Sequence, residues 1–116
     1  MLLSDAVELF IQEKKIAGYS PKTIDFYENA TGQLKKIAIE SGIEDTSNLQ
    51  LGVNAFLADL SERDVSQATV HTYWRATKTF VLWCQESQYV EGVRIPKVMR
   101  PDYAIRPMTI DQVKRV

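Results

Sequence analysis

Proline and glycine are distributed so unevenly that they constrain the fold more than any other feature of this chain. Of four prolines, one stands at residue 21 and three, Pro96, Pro101 and Pro107, crowd the last quarter, and only five glycines are spread through the whole. Proline inside a helix removes a backbone hydrogen bond and clashes with the preceding turn, so the first ninety residues hold little that interrupts long helices. A mainly helical fold is expected. With 116 residues, 45% of them hydrophobic, the chain has the size of one globular domain that holds its core without disulfides or metal. A single cysteine, Cys84, and a single histidine, His71, exclude an internal disulfide and a four-ligand zinc site, and no cofactor is expected. No run approaches the roughly 18 apolar residues of a membrane span, and Met1 to Asp5 lacks the basic start and apolar stretch of a signal peptide. The expected location is the cytoplasm, with no membrane partner.

The net charge of −1 conceals an asymmetry. Residues 1 to 91 carry 8 Lys and Arg against 13 Asp and Glu, a net of −5, whereas residues 92 to 116 carry 6 against 2, a net of +4. A basic tail on an acidic body suits an interaction tail or a linker that runs along a polyanion.

Helical periodicity divides the first part into four segments. The first runs from about 4 to 17, with Ser4 as N-cap and apolar residues at Leu3, Ala6, Val7, Phe10 and Ile11. The pair Ser20-Pro21 reads as an N-cap followed by proline at the first helical position, starting a helix from about 21 to 41 with Ile24, Tyr27, Thr31, Leu34, Ile37 and Ala38 on one side. Gly32 falls in its middle, which costs about 1 kcal/mol relative to alanine and is tolerable if something packs closely there. After the polar stretch Glu44 to Asn48, Leu49, Leu51, Val53, Phe56, Leu57 and Leu60 mark a third helix that ends near Ser61 to Asp64. Ser66 caps a fourth, from about 67 to 88, whose apolar arc comprises Val70, Tyr73, Trp74, Thr77, Phe80, Val81 and Cys84. Trp83 lies off that arc, placed to cover the linker or to meet a neighbouring domain. From Val90 to Pro107 the chain reads as an extended basic linker, and residues 94 to 116, with few apolar groups to anchor them, are expected to be mobile in the absence of a catalytic domain and DNA. Thr109-Ile110-Asp111-Gln112 then has the form of a capping box.

No catalytic motif stands out: there is no GxGxxG, Walker lysine or HExxH, and nothing in sequence pairs with His71. Cys84, on the apolar arc, reads as an inert buried thiol. More informative is the opposite face of the fourth helix, where Thr72, Arg75 and Thr79, flanked by His71 and Lys78, form a strip with no acid before Glu86. Lys22 and Thr23 stand at the N-terminus of the second helix, whose dipole favours a phosphate.

Four stretches in order resemble one family. Leu3-Ser4-Asp5-Ala6-Val7-Glu8-Leu9-Phe10, the S-x-x-T-(x)3-Y pattern of Ser20 to Tyr27, Ser66 to Phe80 with Lys78, and Ile95-Pro96-Lys97 followed by Met108 to Val113 resemble the N-terminal, core-binding domain of the tyrosine recombinases, the phage integrases and Xer-type enzymes. The resemblance covers nearly the whole chain. It implies an all-α, four-helix SAM-like bundle over residues 1–91, a linker over 92–108, and the first turn of a C-terminal catalytic domain at 109–116. It implies further that the bundle clamps double-stranded DNA, with other recombinase protomers on the same DNA. Carried over by position, Lys22 and Thr23 on helix two and Thr69, Thr72, Arg75 and Lys78 on helix four would meet phosphates or base edges, and Lys97 would follow the backbone along the linker. Thr72 stands where relatives often carry a basic residue. The family's catalytic residues, including its nucleophilic tyrosine, belong to the C-terminal domain, so the resemblance implies no catalysis by this chain alone. The competing expectation from the residues is an all-helical protein–protein interaction domain without a DNA role. What separates the two is whether Lys22, Arg75, Lys78 and Lys97 converge on one surface.

Overall fold

In the computed structural model, which describes residues 1–98, four α-helices form two hairpins: α1 (Leu3–Ile16) with α2 (Pro21–Glu40), and α3 (Leu49–Glu62) with α4 (Gln67–Glu86). No strand occurs among the described residues, and the fold is an all-α four-helix bundle. The linker beyond Val98 and the capping box at Thr109 to Gln112 lie outside them.

The caps of α2 and α4 form as their residue types dictate. The Ser20 hydroxyl accepts from the Thr23 amide at 3.2 Å and Ser66 accepts from Thr69 at 3.1 Å, and Pro21 takes the first helical position. Helix α1 departs from the expectation, because Ser4 lies inside the helix and caps nothing. Leu2 is the N-cap, and the chain there is held instead by a backbone bridge between Leu2 and Asp45 and by the Leu3 amide on the Glu44 carbonyl at 2.8 Å. A backbone contact with the segment before α3 has replaced the side-chain cap.

The second hairpin repeats the first at a constant offset of 46 residues, so that Leu3 corresponds to Leu49 and Pro21 to Gln67. Equivalent residues do equivalent work. Phe10 and Phe56 are both fully buried. Thr31 and Thr77, both buried, donate to the carbonyls of Tyr27 and Tyr73 at 2.7 and 2.9 Å. Ser41 and Ser87 end the long helices, after which Gly42 and Gln88 both take positive φ, at 85° and 63°. Gln88 thus accepts a left-handed conformation that its counterpart gives to glycine.

The core runs between the hairpins, where Phe10 meets Tyr27, Phe80 and Trp83 edge-on at centroid distances of 5.3 to 5.5 Å. Trp83 is therefore a core residue and not a cover for the linker: it is buried and its indole N–H donates to Glu13 at 3.0 Å. An aromatic body with one polar edge reaches the core from the margin of an apolar arc, which a helical wheel does not register. Leu51, grouped with the apolar positions of α3, is instead exposed, and Leu49 before it is fully buried.

The close packing that would account for Gly32 is not found there. A Cβ built there meets nothing within 4 Å, whereas at Gly52 it meets the Ala38 Cβ at 3.2 Å. The close helix approach thus occurs at Gly52, between α3 and α2. Gly32→Ala is expected to raise the unfolding free energy by up to about 1 kcal/mol, read as a higher urea midpoint at unchanged slope; a lower midpoint would mean that the glycine is needed.

Candidate nucleic-acid interface

The candidate surface is built on the outward face of α4 and the segment that follows it. Residues 93–98 form no helix or strand and lie against the bundle, with Val93, Ile95 and Val98 half-buried on the core. Three hydrogen bonds fix the path: Gln50 holds the backbone of Arg94 from both sides, at 2.7 and 2.8 Å, and the Trp74 indole N–H donates to the Pro96 carbonyl at 2.7 Å. The mobility expected from residue 94 onward is at odds with the packing of 94–98, where Ile95 and Val98 serve as apolar anchors against the core. Trp74→Phe keeps the ring and loses this bond, costing about 1 kcal/mol of local stability. Faster hydrogen exchange at the amides of Ile95, Lys97 and Val98 is the expected result, and unchanged exchange would deny the bond its role.

Pinning this segment places Lys97 beside α4. His71, Trp74, Arg75, Lys78, Lys97 and Val98 line a groove of about 490 Å³ with three cations and no carboxylate. The Lys78 ammonium lies 5.4 Å from the centre of the Trp74 ring, and His71 lies against the same ring at 5.0 Å. Among the described residues the ion pairs are those of Asp45 with the N-terminus and of Asp59 with Arg63. Arg75, Lys78 and Lys97 therefore pair with no carboxylate among the described residues.

Arg75 also borders a second, smaller recess of about 130 Å³ between α2 and α4, lined by Phe26, Tyr27, Thr72, Arg75, Ala76 and Thr79. The Thr72 and Thr79 hydroxyls donate to the carbonyls of Ala68 and Arg75 at 2.9 and 3.0 Å, which leaves their oxygens as acceptors. The Arg75 guanidinium and the Tyr27 hydroxyl have no hydrogen-bond partner among the described residues.

Of the seven residues expected to meet DNA, Arg75, Lys78 and Lys97 share the groove and Thr72 shares the recess with Arg75. Lys22, Thr23 and Thr69 line neither. Thr23 and Thr69 sit in the helix caps, each 3.0 Å from its capping serine hydroxyl, and Lys22 is exposed at the start of α2. The sequence reading missed a polar network on the other side of the α2 and α4 crossing. There Asn29 and Gln33 donate to the Tyr73 hydroxyl at 2.9 and 3.3 Å, and Gln33 accepts from Arg63, which pairs with Asp59. The matched S-x-x-T-[IV]-x-x-Y-x-x-A-T runs at Ser20 and Ser66 are the signal that points to it, since they align Tyr27 with Tyr73 and Asn29 with Arg75.

Cys84 is buried and its thiol is pushed up to about 12 by desolvation, so it holds no thiolate at neutral pH. No group of three or more metal-ligating side chains occurs among the described residues, and none of their helices is long and apolar enough to cross a membrane. No family model, curated protein or solved structure matches the chain. What fold and surface define is a class: a duplicated helical hairpin that presents a cationic and aromatic groove.

Proposed function

We propose that this chain is a duplex-DNA-binding module, the core-binding domain of a tyrosine-type site-specific recombinase, which clamps a recombination half-site for a C-terminal catalytic domain of the same polypeptide. The observation that carries the reading is the meeting of Arg75, Lys78 and Lys97 in one groove without a carboxylate. On a body of net negative charge such a patch draws a polyanion locally, while the acidic remainder keeps binding from being indiscriminate. Cations beside a strand of phosphates act by releasing counterions, and Trp74 and His71 offer flat surfaces to sugar or base. The resemblance of the four sequence stretches to core-binding domains supplies the catalytic context and the other protomers on DNA.

A titration of the isotope-labelled chain with mixed-sequence duplex tests this at low salt and again at about 200 mM. Shifts grouped at His71, Thr72, Arg75, Lys78 and Lys97 that fade with salt are expected. The absence of shifts at low salt would overturn the reading. It would favour a protein-interaction domain, for which the open groove of about 480 Å³ between α1 and α2, floored by Val7, Ile11 and Gly32, is the observation that speaks.

A further inference from the structure

The chain has a single histidine, and the fold puts it in the cationic groove. His71, Trp74, Arg75 and Lys78 follow one another at three- and four-residue spacing along one face of α4, and Lys97 and Val98 close the groove from the segment after Pro96. The imidazole is half-buried, its ring 5.0 Å from that of Trp74 with the planes 39° apart. It makes no hydrogen bond and no ion pair among the described residues. Both ring nitrogens are therefore left for a ligand.

The charged groups that line the groove with it are Arg75 and Lys78 from α4 and Lys97 from the segment 93–98, with no acid among them. A strand of phosphates would bring negative charge beside the imidazole. Negative charge favours the protonated ring, which then donates from both nitrogens to ligand oxygens. Trp74 acts in the same direction, since its ring face attracts an imidazolium as it does the Lys78 ammonium, 5.4 Å from the ring centre. Histidine is the side chain whose charge ordinarily changes between about pH 5 and 8. Cys84 does not compete for that role, because burial pushes its thiol up to about 12, and the N-terminal amine is paired with Asp45, which does not line the groove.

We infer that His71 is a fourth, conditional cation of the groove: it takes up a proton as a polyanion binds, and duplex binding is therefore stronger at mildly acidic pH. This rests on the DNA reading above and adds a pH control to it. The sign follows from linkage. If bound phosphates favour the charged ring, the charged ring favours bound phosphates by the same factor, so affinity is higher below the histidine range and falls as pH rises through it. Arg75, Lys78 and Lys97 keep their charge throughout and supply the binding that remains.

The test is a binding titration of the whole 116-residue chain with mixed-sequence duplex at about pH 6 and about pH 7.5, at matched low ionic strength, repeated with His71→Gln and His71→Lys. If the bound state prefers the charged ring by about tenfold, the wild-type chain binds about 2- to 5-fold more tightly at the lower pH. Its salt slope should also be steeper there, by a fraction of the roughly 0.9 unit that one phosphate contact contributes. His71→Gln is expected to bind equally at the two pH values, near the wild-type affinity at the higher one. His71→Lys should also lose the pH dependence, at or above the wild-type affinity at the lower one. Equal wild-type affinity at both pH values, or a pH dependence that survives His71→Gln, overturns the proton coupling and leaves the DNA reading standing. Failure to retain any duplex at low salt at either pH overturns both. Circular dichroism melts of each variant at both pH values separate a loss of fold from a loss of binding.

Discussion

Replacing Phe10 with alanine is expected to lower the stability of the bundle by about 3–5 kcal/mol, most or all of what a domain of this size possesses. Phe10 is fully buried and its ring is the common neighbour of Tyr27 on α2 and of Phe80 and Trp83 on α4. Its truncation removes three edge-to-face contacts together and opens a cavity at the place where the hairpins meet. Rigid aromatic neighbours fill such a void poorly, so the loss exceeds the transfer term alone. Urea unfolding followed by tryptophan fluorescence reads the change. A loss under about 1 kcal/mol would show that the aromatic cluster is not what joins the hairpins.

Arg75→Glu is expected to weaken duplex binding by about 1 to 3 kcal/mol or more and to lower the salt slope by at least one unit. The new carboxylate would stand between Lys78 and Lys97 in the groove and beside Thr72 in the recess, so one substitution affects both surfaces. Arg75 is exposed and pairs with no acid among the described residues, and folding stability should scarcely change. A binding titration at about 50 and about 200 mM salt, beside a thermal melt, separates the two effects. Equal affinity for the two proteins would remove Arg75 from the interface.

The elements that were legible in the sequence are those governed by local chemistry. Ser20 with Pro21, and Ser66, announce the starts of α2 and α4 because a serine oxygen can reach an amide three residues on whatever the rest of the chain does. The buried sides of all four helices follow their 3.6-residue spacing, Leu51 and Trp83 apart. The acid-free strip on α4 was visible for the same reason, since Thr72, Arg75 and Lys78 lie on one face of a single helix. Ser4 misled because α1 starts earlier, at Leu3, whose amide is satisfied by the carbonyl of Glu44, some forty residues away.

The sequence by itself determined the number of helices, where the long ones begin and which side of each turns inward, since propensity, capping and periodicity act within a few residues. Only the tertiary structure decided how surfaces from different helices combine. It put Lys97 beside Arg75 by fastening Pro96 to Trp74, closed one side of the α2 and α4 crossing with Asn29 and Gln33, and left the other open beside Tyr27. Such contacts join residues tens of positions apart, and their energy depends on packing geometry that no local pattern encodes.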